Sequence, residues 1–94
     1  MQIQYFGLSS FKIITKEATI ITDPFHKDSG LTPPRGAADI LILAEKNKKL
    51  YTATSGISGE HFDITDPGEY DLKAVTVTGI PLKQEEKFMS IFLI

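Results

Sequence analysis

The chain has 94 residues, enough for one small domain spanning 1–94 and too few for separate catalytic and regulatory units. With 41% hydrophobic and 23% charged residues it has the composition of a globular protein, which argues against disorder, collagen-like repeats and coiled coils. A net charge of -2 leaves no basic field for nucleic acid or an anionic membrane surface, and the lack of cysteine excludes disulfides, thiolate metal sites and a cysteine nucleophile.

The start Met1-Gln2-Ile3-Gln4 lacks a basic region followed by an apolar one, and no apolar run approaches the roughly 18 residues that span a bilayer. The expectation is a cytoplasmic protein. A domain of this size buries only roughly 60 to 65% of the surface its unfolded chain exposes, so its stability calls for an efficient core or a partner.

The first third reads as short strands separated by turn residues. Met1 to Phe6 alternates, with Ile3 and Tyr5 on one face, and Gly7 to Ser10 interrupts the pattern. Phe11 to Thr15 and Thr19 to Thr22 are separated by Lys16-Glu17-Ala18, a polar stretch of hairpin length, so the three strands form a meander. Asp23-Pro24 stops the third strand, and the stretch to Gly36, with Gly30, Pro33 and Pro34, has no period and is expected to be a long loop. Ala38 to Leu43 is a continuous apolar run, the pattern of a strand covered on both faces.

The segment Glu45 to Lys49 is too short and too uniformly polar for an amphipathic helix and reads as a turn. Strands resume around Gly56, Gly59 and Asp66-Pro67-Gly68, with β-branched residues concentrated between Tyr70 and Thr78. A charged turn, Lys83 to Lys87, precedes Phe88 to Ile94, a closing strand apolar on both faces. The expected fold is mostly β, one twisted sheet or two packed sheets with little helix. Its core is expected to contain Ile3, Phe11, Ile13, Ile20, Ile40, Ile42, Val75 and Val77.

Four segments, in order, carry a resemblance: Gly7-Leu8-Ser9-Ser10-Phe11, Ile20-Ile21-Thr22-Asp23-Pro24-Phe25, Ala38-Asp39-Ile40-Leu41-Ile42-Leu43, and Asp66-Pro67-Gly68-Glu69-Tyr70-Asp71. Together they resemble the N-terminal half of metallo-β-lactamase-fold proteins, in the branch of small bacterial Zn-dependent hydrolases similar to ascorbate-6-phosphate lactonase. The resemblance implies half of an αββα fold. It also implies a Thr-His-x-His-x-Asp-His motif after the buried strand, whose side chains hold one or two divalent metals and activate a water. This chain instead has Ala44-Glu45-Lys46-Asn47-Lys48-Lys49-Leu50, and the family's early histidine stands as Leu8. Lysine ammoniums repel a dication, so the resemblance implies the fold while the departures argue against its chemistry.

Other donors are few. His26 and His61 each belong to a His-x-Asp pattern, with Asp28 and Asp63, and residues two apart on a strand share a face. Two donors are too few for a closed zinc site. Asp23, which the family places near its metal, suits a turn that accepts backbone hydrogen bonds before Pro24. Asp23, His26, His61 and Asp63 are therefore weak metal candidates, the expectation being no cofactor and the alternative weakly bound zinc.

Ser9 and Ser10 lack a Gly-x-Ser-x-Gly elbow and read as turn residues, Gly56-Ile57-Ser58-Gly59 is too sparse to cradle a phosphate, and Lys46, Lys48 and Lys49 read as a solvated loop. The leading expectation is a non-catalytic, degenerate or truncated relative of the family that self-associates as a homodimer or higher homo-oligomer. Phe88, Met89, Ile91, Phe92, Leu93 and Ile94 form the expected interface, since an apolar edge strand invites pairing. The competing expectation is a hydrolase with a rebuilt metal site, or one completed by a partner chain. Neither nucleic acid nor membrane is expected as a partner.

Overall fold

The computed structural model describes residues 1–8, 10–43, 54–81 and 88–93, and for 81 and 88–93 it describes the backbone alone. The expectations for Ser9, for the turn at 45–49 with its lysines, for the turn at 83–87 and for Ile94 lie outside the described residues. The chain is mostly β. The predicted meander is present as β1 (Gln2–Gly7), β2 (Ser10–Ile14) and β3 (Thr19–Thr22), joined by antiparallel pairing. Thr15 shapes the turn between β2 and β3, its Oγ1 accepting the backbone N–H groups of Glu17 and Ala18 and donating to the Ala18 carbonyl.

The segment after β3 has more order than a periodless loop. It contains a single 3-10 turn (Lys27–Ser29), closed by Gly30 at φ 87°, and the two-residue strand β4 (Gly36–Ala37). The buried strand β5 (Ile40–Ile42) is parallel to both β3 and β7 (Phe62–Ile64), giving a five-stranded sheet of order β1-β2-β3-β5-β7. Parallel neighbours require crossovers. The two crossovers touch each other, because β4 pairs in parallel with β6 (Ile57–Ser58).

Those crossovers explain why β5 is apolar on both faces. Leu41 and Ile21 point to one side, where Ala38 and Ile57 cover them. Ile40 and Ile42 point to the other, into the main core with Ile13, Ala18, Ile20 and Ile64. The opposing layer is a three-stranded antiparallel sheet, β8 (Gly68–Leu72), β9 (Val75–Pro81) and β10 (Phe88–Leu93), in the order β10-β9-β8. Val75 and Val77 of its middle strand are fully buried against the first sheet, with Tyr70 and Leu72 packed beside them.

Six of the expected core residues, Ile13, Ile20, Ile40, Ile42, Val75 and Val77, are in that cluster. Ile3 and Phe11 are not: they are 59% and 38% exposed. Their face is the right one, since Ile3 pairs with Ile13 and Phe11 with Thr22. Alternation assigns a face but not its cover, and the described residues of the second sheet bury the β3–β5–β7 part while leaving Ile3, Tyr5 and Phe11 accessible. No helix of the described residues is long and apolar enough to cross a membrane.

Candidate functional site

The chemistry-bearing residues fall at two ends of the parallel strands. Asp23 sits directly after β3, with its backbone N–H bonded to the Ile42 carbonyl at 2.8 Å. It is buried and has φ 40°, a left-handed conformation that aspartate adopts more readily than most residues. Asp23 thus ties the C-terminal ends of β3 and β5 together.

His26 follows in the same loop and caps the 3-10 turn. Its Nδ1 accepts the Asp28 backbone N–H at 3.1 Å, while the Asp28 carboxylate lies 3.2 Å from the same nitrogen. One ring nitrogen does not accept the N–H and donate to the carboxylate at once. The contact to the backbone N–H is the one that caps the turn.

His61 and Asp63 lie elsewhere, at the start of β7. Phe62 N–H bonds to the carbonyl of Asp39, the residue that precedes β5, which places this pair beside the N-terminal end of that strand. As the i, i+2 spacing predicts, His61 Nδ1 meets Asp63 Oδ1 directly. An ionised carboxylate only accepts, so Nδ1 donates to it and Nε2 is the ring nitrogen outside this contact.

The four candidate ligands therefore do not converge: Asp23 and His26 follow the C-terminal end of β3, and His61 with Asp63 stands at the N-terminal side of β5. Among the described residues no three His, Asp or Glu side chains form a group able to hold a metal. The donors among the described residues, two separated pairs, do not by themselves make up the dinuclear or mononuclear centre that the family resemblance implies. Ser10 opens β2 rather than lying in a turn, and its buried Oγ has no partner among the described residues.

A feature that sequence reading missed lies beside His26. A cleft of about 300 Å³ opens where the loop after β3 meets the segments that lead into β4 and β6. Phe25, Pro33 and Pro34 form its apolar wall, and His26, Lys27 and Arg35 its polar rim, with Ser55 and Gly56 opposite. These positions are far apart in sequence and share no period, so only the crossover pairing of β4 with β6 brings them together.

With this arrangement in view, the chain belongs to the β-lactamase superfamily, whose domain matches residues 2–90. Among solved structures, a candidate Zn-dependent hydrolase of the metallo-β-lactamase superfamily from Thermotoga maritima is similar to it, with a TM-score of 0.73 and 26% identity. The similarity covers 96% of this chain and 41% of that one, so the chain spans about two fifths of that protein's length. No curated protein matches it.

Proposed function

We propose that this domain keeps the metallo-β-lactamase framework without its metal-activated water and acts as a self-associating, protein-binding module. The observation that carries the reading is the sequence after β5. Residues 44–50 contain no imidazole and three lysines where the family has its ligand motif, and a dication needs several neutral or anionic donors acting together.

The distribution of the surviving donors supports it, since Asp23 and His26 stand apart from His61 and Asp63. Association is supported by two features. Among the described residues β10 pairs on one edge only, with β9, so its second edge offers unpaired backbone groups to another strand. Its sequence, Phe88-Met89-Ser90-Ile91-Phe92-Leu93, carries no charge that would oppose pairing. The occupant this favours is a second copy of the chain, because a two-fold axis lets one patch cover itself.

The test is metal content and solution mass measured on one preparation. After dialysis against a weak chelator, elemental analysis is expected to find substoichiometric zinc and manganese, and light scattering a dimer at micromolar concentration. Phe92→Glu is expected to return the protein to monomer. Stoichiometric metal retained through dialysis would overturn the non-catalytic reading in favour of a hydrolase with a rebuilt site, and Asp23, His61 and Asp63 would be the residues to mutate. A monomer that Phe92→Glu leaves equally soluble and stable would overturn the interface.

A further inference from the structure

The cleft beside the 3-10 turn has the makings of a binding site that is independent of both association and metal. It opens in the loops that leave the C-terminal ends of the parallel strands β3 and β5, the place where open sheets gather ligand-binding loops. Its wall is built before any ligand arrives. Phe25 and Pro34 are fully buried, and the two prolines have a fixed φ, so little ordering is needed on binding.

Gly56 keeps the space open. A Cβ there would make ordinary van der Waals contact with Arg35 Cγ at 3.4 Å and the Pro34 carbonyl oxygen at 3.5 Å, so the further atoms of a branched side chain would take up space against these lining residues.

The rim has one sign of charge. Among the described residues neither the Lys27 ammonium nor the Arg35 guanidinium has a carboxylate partner. The carboxylate of Asp28, next to Lys27 in sequence, lies 3.2 Å from His26 Nδ1. The His26 ring and the Ser55 hydroxyl add further polar groups to the same rim. A chain with net charge -2 has no general attraction for anions, so this cluster is a local exception.

We propose that this cleft binds a small organic oxyanion, with its carboxylate or phosphate held by Lys27, Arg35 and His26 and its apolar body against the half-buried Pro33, above the buried Phe25 and Pro34. The volume is at the low end of the few hundred Å³ typical of small-molecule sites, which suits a single ring bearing one charged group. A guanidinium matches either oxyanion through paired N–H donors.

Amide chemical-shift mapping of the full chain tests this with four probes: phenyl phosphate, benzoate, inorganic phosphate and neutral phenol. The expected result is saturable shifts confined to the amides of residues 25–27, 35 and 55–56, Pro33 and Pro34 having no N–H to report. Arg35→Gln should weaken binding about tenfold, and Gly56→Val should abolish it. Lys16→Gln, in the exposed turn between β2 and β3, should change nothing.

Tightest binding of phenyl phosphate identifies an organic phosphate as the ligand class, and tightest binding of benzoate a carboxylate. Phenol binding as well as the charged probes would overturn the proposal, as would shifts spread equally over Lys12, Lys16 and Lys73. So would inorganic phosphate binding as tightly as phenyl phosphate, because the apolar wall would then contribute nothing. The Arg35 side chain is exposed, so Arg35→Gln retains the fold and remains informative even if Gly56→Val does not.

Discussion

Asp39 joins three parts of the fold, and removing its carboxylate is expected to cost about 2 kcal/mol. Its Oδ2 accepts the Thr19 N–H at 2.8 Å, which fixes the start of β3 beside the start of β5. Its Oδ1 lies 3.4 Å from Lys73 Nζ in the turn between β8 and β9. A hydrogen bond to a charged acceptor contributes about 1.5 to 3 kcal/mol. The ion pair contributes little, because the Lys73 side chain is 60% exposed and Asp39 32%, and such pairs are typically worth under about 1 kcal/mol.

The backbone bonds of residue 39, its N–H to the Thr19 carbonyl and its carbonyl to Phe62 N–H, persist in Asp39→Ala. The loss is therefore the side-chain clamp alone. At about 4 to 8 °C per kcal/mol for a domain this size, Tm should fall by about 10 °C. Urea unfolding followed by circular dichroism gives the free energy directly. Asp39→Asn, which keeps one acceptor oxygen, should recover part of it. A cost below about 0.5 kcal/mol, or a Lys73→Ala variant as damaging as Asp39→Ala, would refute the clamp.

Three further outcomes are expected. Lys73 and Ala74 have φ 48° and 63° in the two-residue turn between β8 and β9, so Ala74→Gly should raise unfolding stability by about 1 kcal/mol; a loss in urea titration would contradict the turn type. Ile20→Ala, in the centre of the core, should cost about 3 kcal/mol and Ile3→Ala under about 0.5, and equal costs in the same assay would mean that Ile3 is covered in solution. Ser10→Ala removes a buried hydroxyl with no partner among the described residues, so thermal melting should show stability unchanged or increased by about 1 kcal/mol; a marked drop would reveal a bond to the hydroxyl.

The framework was legible where one residue pattern has one physical solution. The continuous run at Ala38 to Leu43 demanded cover on both faces, and β5 has it. The β8–β9 hairpin is not marked as two strands in the sequence, because Lys73-Ala74 lacks the Asn-Gly or Asp-Gly signature of its turn although both residues hold the positive φ such a turn requires. The pairing of β4 with β6 was hidden for another reason: two-residue strands have no period to detect. The cleft depends on that pairing, so it was invisible for the same reason, whereas the His61–Asp63 contact followed from local spacing alone.

The residues that carry the family resemblance are those with a backbone task. Gly7 has φ 112°, Asp23 ties β3 to β5, and Asp39 clamps Thr19. Gly68 has φ 149° under the ring of Tyr70, whose hydroxyl donates to the Asp66 carbonyl at 2.9 Å. The departures from the pattern that the resemblance implies, at Leu8 and residues 45, 47, 49 and 50, would fall on its ligand positions. Leu8 holds φ 53°, a conformation that histidine or asparagine tolerates better than leucine. The left-handed turn is present with a leucine, whose side chain offers no metal donor. A fold held by one set of residues and a reaction carried by another can separate in this way, and membership of the superfamily therefore accounts for the architecture of this chain without assigning it the superfamily's hydrolysis.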